Sequence, residues 1–137
     1  MAAAPLQVTL ATLRHLVLRQ SVTAATVPTG RGQITVLSGH TALLATLAPG
    51  LVRLAGATDA RVFVTGGYLE VQADQVLILA EHAQLASELD PAAALAEVEA
   101  AEQPLRAPMK SPALRAAQLQ HLAIAQARLE AARSLHG

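Results

Sequence analysis

The sequence predicts an α+β fold: an N-terminal antiparallel two-sheet β-sandwich followed by a C-terminal antiparallel two-helix hairpin. Three observations carry that expectation. Short apolar runs, broken by turn residues about every eight to twelve positions, fill residues 1–87, as in a sandwich or barrel of short strands. From residue 88 the alternation stops and two proline-led stretches of good helix formers take over. The charges of this second part are segregated: residues 88–102 carry five acids and no base, and residues 103–137 carry five bases and one acid, Glu130. The chain is therefore read as a sandwich domain over 1–87 and a helical hairpin over 88–137.

The first strand is marked by Leu6, Val8 and Leu10, which alternate with polar or small residues and define one buried face. His15 to Leu18 and Val22 to Val27 continue the pattern. Pro28-Thr29-Gly30-Arg31-Gly32 reads as a turn, because proline presets φ and glycine reaches positive φ without a steric penalty. Ile34 to Leu37 is apolar and β-branched, and Ser38-Gly39-His40 breaks it. Leu43 to Leu47 leads into Ala48-Pro49-Gly50, a further turn. Leu51 to Leu54 and Ala60 to Thr65 flank Gly56 to Asp59, a hairpin loop. Gly66-Gly67 separates that strand from Tyr68 to Gln72, and Ala73-Asp74 leads to the strand Gln75 to Ala80.

Asp90-Pro91 opens the first helix, with Asp90 as the capping acceptor and Pro91 where a missing N–H costs little. Pro104 and Pro108 end it within the linker Gln103 to Ser111. Ser111-Pro112 repeats the cap signal, and the second helix runs to about Leu135, ending at Gly137 or the terminus. Leu114, Leu122, Ala125, Leu129 and Ala132 fall on one face of it. An alanine-rich seam buries little area per residue, so the expected hairpin is marginal and able to open.

Composition removes several function classes. Ten basic and ten acidic residues give a formal net charge of zero, which argues against a nucleic-acid or polyanion partner. With no cysteine, disulfides, thiolate metal sites and cysteine nucleophiles are excluded. The 53% hydrophobic content is inflated by 31 alanines, and no apolar run reaches the roughly 18 residues of a spanning helix, so a soluble chain is expected. Residues 1–7 lack a basic n-region and a long apolar h-region, so no signal peptide is expected. Phe63 and Tyr68 are the only aromatics, which leaves no stacking platform and requires an aliphatic core.

No catalytic motif emerges. The five histidines, at 15, 40, 82, 121 and 136, show no metal-ligand spacing, and no metal or cofactor is expected. A phosphate loop needs lysine after its glycines, and the only lysine, Lys110, lies far beyond both glycine clusters. No Gly-x-Ser-x-Gly is present. Glu70, Asp74 and Glu81 are the carboxylates an acid–base pair would draw on, and solvated strand ends is the plainer reading of them.

Several segments, in this order, carry a resemblance. Val27 to Gly50 reads V-P-T-G-R-G-Q-I-T-V-L-S-G-H-T-A-L-L-A-T-L-A-P-G, Val64 to Val71 reads V-T-G-G-Y-L-E-V, and Val76 to Glu81 reads V-L-I-L-A-E, before the Leu89-Asp90 boundary. This order resembles the epsilon subunits of F-type ATP synthases. The resemblance implies a non-catalytic rotor subunit of the central stalk that couples ion flow to ATP synthesis. Its implied partners are the gamma subunit and the c-ring for the sandwich, and the alpha and beta subunits for extended helices, which inhibit ATP hydrolysis. It implies partner contacts at Arg31, Gly32 and Gln33 toward the c-ring, and at Gly39 and His40 near the gamma and ring interface. Gln33 stands where many members have glutamate.

Arg115, Arg128 and Arg133 are the candidate inhibitory contacts. Some members bind ATP through Leu/Ile-Asp-x-x-Arg-Ala; here the segment reads Leu89-Asp90-Pro91-Ala92-Ala93-Ala94, and Ala93 replaces the arginine. Without that bidentate phosphate partner, weak or no ATP binding by the isolated protein is expected. The implied location is peripheral, on the cytoplasmic face of a bacterial inner membrane. The rival reading is a free-standing β-sandwich binding module with a self-associating hairpin; an apolar patch on one sandwich face would favour the rotor reading.

Overall fold

A computed structural model describes residues 5–136, with side chains described as far as Leu135. Expectations about the start of the chain at Met1 to Ala4, the His136 side chain and a stop at Gly137 lie outside the described residues. The chain forms two compact units, Met1–Leu85 and Ala86–Gly137.

The first unit contains strands β1 (Leu6–Thr12), β2 (Leu16–Val22), β3 (Ala24–Thr29), β4 (Gly32–Leu37), β5 (Leu43–Thr46), β6 (Gly50–Ala55), β7 (Ala60–Val64), β8 (Gly67–Gln72), β9 (Gln75–Ala80) and β10 (Ala83–Leu85). They form two five-stranded sheets, in the orders β2-β1-β9-β8-β5 and β10-β7-β6-β3-β4. The alternating face of β1 is buried as its pattern requires: Leu6, Val8 and Leu10 are wholly inaccessible. They join Val22, Val27, Val36, Val52, Leu54, Val62, Leu69, Val71, Val76 and Ile78 in one aliphatic core between the sheets. Each fully buried side chain of this size contributes about 1.5–3 kcal/mol of transfer free energy.

All described strand pairs are antiparallel except β1 with β9, which run parallel with Leu10 opposite Ile78. Side-chain alternation has the same period in either direction, so the sequence pattern carries no information about strand polarity. β10 also escaped the pattern: three residues, Ala83 to Leu85, pair with Val64 to Val62 and close the edge. The expected strand His15 to Leu18 belongs to a longer β2 that runs to Val22, and the next strand starts at Ala24.

The expected five-residue turn from Pro28 to Gly32 contracts to Gly30-Arg31, because Pro28 pairs with Gln33 and Thr29 with Gly32 inside the ladder. Proline is tolerated there because the pairing of β3 with β6 stops at Thr26, so no partner requires a Pro28 N–H. Gly66-Gly67 does more than separate strands, since β7 and β8 lie in different sheets. Gly67 holds φ +130°, and a Cβ there would fall 2.0 Å from the Leu79 carbonyl oxygen.

The second unit holds a short 3-10 helix (Ala86–Glu88), α1 (Pro91–Glu102), a 3-10 turn (Gln103–Arg106) and α2 (Pro112–His136). Asp90 is extended and accepts from the Ala92 N–H at 3.3 Å, and Ser111 Oγ accepts from the Leu114 N–H at 3.3 Å, so both caps form where expected. The helices run antiparallel: Glu97 meets Arg128, and further along α1 the Ala101 carbonyl accepts from Gln118 Nε2 at 2.9 Å. Ala125, Leu129 and Ala132 are buried as expected, but Leu114 is 61% exposed. At about 1.5 Å per residue, the 12-residue α1 is half the length of the 25-residue α2, so the start of α2 has no facing turn of α1 to bury Leu114.

Candidate functional site

The residues singled out for partner contact occupy two places on the sandwich. Arg31 sits exposed at the tip of the β3–β4 hairpin. The tip is braced by its own hydrogen bonds: Thr29 Oγ1 donates to the Gly32 carbonyl at 2.5 Å and accepts from the Arg31 N–H at 3.2 Å. Gly32 holds φ +109°, a conformation that favours glycine. The hairpin is also tied to the other sheet, since the Gly30 N–H donates to the Thr46 carbonyl at 3.0 Å. A recess of about 290 Å3 lies beside it, lined by Thr29, Gly30, Arg31, Ile34, Leu43 and Leu44. Gln33, at the start of β4, is exposed.

Gly39 and His40 lie beyond the opposite end of β4, on the order of 20 Å from the Arg31 tip at the usual rise per strand residue. The structure therefore does not bring the two groups together. The corner is a turn in which the His40 N–H donates to the Leu37 carbonyl at 3.1 Å, with Gly39 at φ +83°. His40 Nδ1 lies 2.7 Å from the Thr41 carbonyl. A carbonyl only accepts, so Nδ1 is the donor in this contact.

Between these places lies a surface that individual motifs did not reveal. Core residues Leu69, Val71, Val76 and Ile78 point inward, so their neighbours on β8 and β9 face outward. Strand register sets Leu44 beside Glu70 and Glu70 beside Leu77, with Tyr68 next along β8. Leu44 is 71% exposed, Tyr68 58% and Leu77 40%. The signal in the sequence was apolar residues on both faces of consecutive strands, which a sheet facing water on one side does not need.

The helical arginines part company. Arg128 is half-buried and bonded to Glu97, whereas Arg115 and Arg133 are exposed. Ala93, in the position the nucleotide motif gives to arginine, is exposed in the first turn of α1. The acid–base candidates do not converge: Asp74 and Glu81 flank opposite ends of β9, and Glu70 is on the outer face of β8. Among the described residues, no three His, Asp or Glu side chains gather as a metal site. Among the described residues, no helix is long and apolar enough to cross a membrane.

The sandwich thus carries a hydrogen-bonded projecting turn and exposed apolar side chains on one outer face, and a helical hairpin follows it in the chain. The profile of the ATP synthase, Delta/Epsilon chain, beta-sandwich domain matches residues 5–86. An ATP synthase epsilon chain of Bordetella petrii is 37% identical over 105 residues, which cover 75% of this chain and 74% of that one. The epsilon chain of Polynucleobacter necessarius is 41% identical over 81 residues, 58% of this chain and 59% of the relative's length. A chain of the Euglena gracilis mitochondrial ATP synthase, in an OSCP/F1/c-ring structure, superposes with TM-score 0.83 at 26% identity over 96% of this chain and 83% of that one. A chain of the Tetrahymena thermophila central stalk and c-ring shares the fold, with TM-score 0.72 at 16% identity over 96% of this chain and 99% of that one. The chain belongs to the ATP synthase delta/epsilon family. It is of the epsilon type, a non-catalytic subunit of the central stalk of an F-type ATP synthase and a peripheral part of that membrane-associated complex.

Proposed function

We propose that the sandwich binds the gamma subunit and the polar loops of the c-ring, so that the three turn together and couple ion flow to ATP synthesis. The exposed Leu44, Tyr68 and Leu77, set around Glu70 on one outer sheet face, support this reading, because such a face is a surface for a protein partner. That face and the Gly39-His40 corner meet gamma. The Arg31-Gly32-Gln33 tip, separated from that corner by the length of β4, meets the c-ring. The complex lies on the cytoplasmic face of a bacterial inner membrane.

Because the chain has no cysteine, single replacements report contacts cleanly. Arg31→Cys is expected to cross-link to c-ring loops and His40→Cys to gamma in the assembled complex. Cross-linking of neither would reject the assignment.

The hairpin acts as a brake on ATP hydrolysis, with Arg115 and Arg133 free to meet acidic surfaces of the alpha and beta subunits. Arg128 joins them only when its bond to Glu97 is broken. Deleting residues 88–137 is expected to raise the ATPase activity of the complex. Unchanged activity would leave coupling as the sole role.

A further inference from the structure

We infer that Asp74 is a positioning residue: its carboxylate presets the Ser38–His40 corner for the gamma subunit. The inference rests on the reading of that corner as a gamma contact. Asp74 Oδ1 accepts from the Gly39 N–H at 2.8 Å, and Oδ2 accepts from Ser38 Oγ at 3.3 Å. The bonds join the β8–β9 turn to a corner 35 and 36 residues away in sequence. The Asp74 carbonyl also accepts from the Gln7 N–H at 2.9 Å, so the turn is held on its other side by β1.

The backbone that carries the carboxylate is itself strained. Ala73 and Asp74 lie at φ 49° and 63°, two successive left-handed residues with no glycine between them. Two-residue hairpin loops of this hand favour Asn-Gly or Asp-Gly, and alanine has no side-chain bond to offset the strain. Strain of this kind persists only where the surroundings over-determine it. Here the carboxylate supplies the offset, because charge-assisted bonds to an N–H and a hydroxyl are stronger than neutral ones.

The corner needs such support. Residues 38–42 cross from one sheet to the other outside any ladder. Gly39, with the permissive backbone, is the residue the carboxylate grips. Fixing Gly39 fixes the direction in which His40 leaves the turn. A partner then meets a corner that is already ordered, and no ordering entropy is lost on association.

Stability and positioning separate in one substitution. Asp74→Gly relieves the left-handed strain while removing the acceptor, so thermal stability is expected to hold or rise. Its affinity for the gamma subunit is expected to fall about tenfold, the scale of one lost charge-assisted bond. The Gly39 amide should exchange faster by a similar factor. Asp74→Asn keeps an acceptor oxygen and tolerates the left-handed region, and is expected to restore affinity to within about threefold of wild type. Wild-type affinity in Asp74→Gly with a loosened Gly39 amide, while His40→Ala weakens binding, would overturn the positioning role alone. Unchanged affinity in His40→Ala would overturn the corner as a gamma contact, and the positioning role with it.

Discussion

Arg128 of α2 donates to Glu97 of α1 at 2.5 Å, with both side chains about a quarter exposed. Here the opposite charges of the two helical stretches meet in a part-buried contact. The seam around it is poor in apolar volume: Ala94, Val98, Ala101, Ala125, Leu129, Ala131 and Ala132 are its buried residues. Small residues permit close approach but contribute little transfer energy, so one polar pair carries unusual weight. The Arg106–Glu102 pair at 3.9 Å is too exposed to help much. Arg128→Ala is expected to weaken the hairpin by about 1–2 kcal/mol. Amide exchange in α1 should then accelerate by about five- to thirtyfold, with sandwich amides unaffected. Unchanged α1 exchange would show that the alanine seam holds the hairpin without the pair.

Gly67→Ala should be among the most damaging single changes in the sandwich. The added Cβ would lie 2.0 Å from the Leu79 carbonyl oxygen and 2.9 Å from Ala80 Cα, both backbone of the adjacent strand. The φ of +130° adds strain for any L side chain. A loss above about 3 kcal/mol is expected, lowering Tm by more than about 12 °C. For Gly66→Ala the atoms nearest the added Cβ are those of the Glu81 carboxylate, at 3.2 Å, and that flexible side chain can move. Its cost should stay under about 1 kcal/mol. Equal losses in thermal unfolding of the two variants would contradict this account.

Two buried threonines should respond to valine in opposite directions. Thr65 is 2% exposed and its hydroxyl has no bonding partner. Valine fills the same volume without desolvating an unpaired polar atom, so Thr65→Val should stabilise by about 1 kcal/mol. Thr29, 4% exposed, bonds on both sides of its hydroxyl, to the Gly32 carbonyl and the Arg31 N–H. Thr29→Val should cost about 1 kcal/mol, because the two part-buried bonds that brace the hairpin tip are lost. Chemical denaturation of both variants decides the matter, and a loss at Thr65 equal to that at Thr29 would mean the Thr65 hydroxyl is satisfied in solution.

What the sequence disclosed depended on whether the controlling interaction was local. Leu6, Val8 and Leu10 announced a buried face because alternation is a property of one strand. Asp90 and Ser111 announced helix starts because a cap reaches only two or three residues ahead. The parallel β1–β9 pair was hidden, as polarity is decided by the path between residues 12 and 75. Gly67 read as a spacer, although its constraint comes from the carbonyl of Leu79 on the next strand. Leu114 fitted the helical stripe but lost its partner to the shortness of α1. In the candidate site, Arg31 could be read from a turn motif, whereas Asp74 could not be linked to Gly39 across 35 positions. Arg128 looked equivalent to Arg115 and Arg133 until packing set it against Glu97.

Nucleotide binding by the isolated chain turns on the start of α1. Asp90 is already engaged as the cap, accepting from the Ala92 N–H at 3.3 Å. Ala93, one residue further on, has no donor to offer a phosphate. A triphosphate needs planar or paired cations to offset desolvation of its charge, and α1 has no basic residue at all. Two of the cations in this part of the chain have other duties: Arg128 bonds Glu97, and Arg106 faces Glu102. Calorimetric titration of the full chain with Mg-ATP is therefore expected to give no saturable heat at millimolar nucleotide. Ala93→Arg supplies the missing fork at an exposed position and should introduce measurable binding without lowering Tm. Saturable binding by the wild-type chain at micromolar nucleotide would mean that the phosphates find their cations elsewhere, with Arg115 and Arg133 the first to replace.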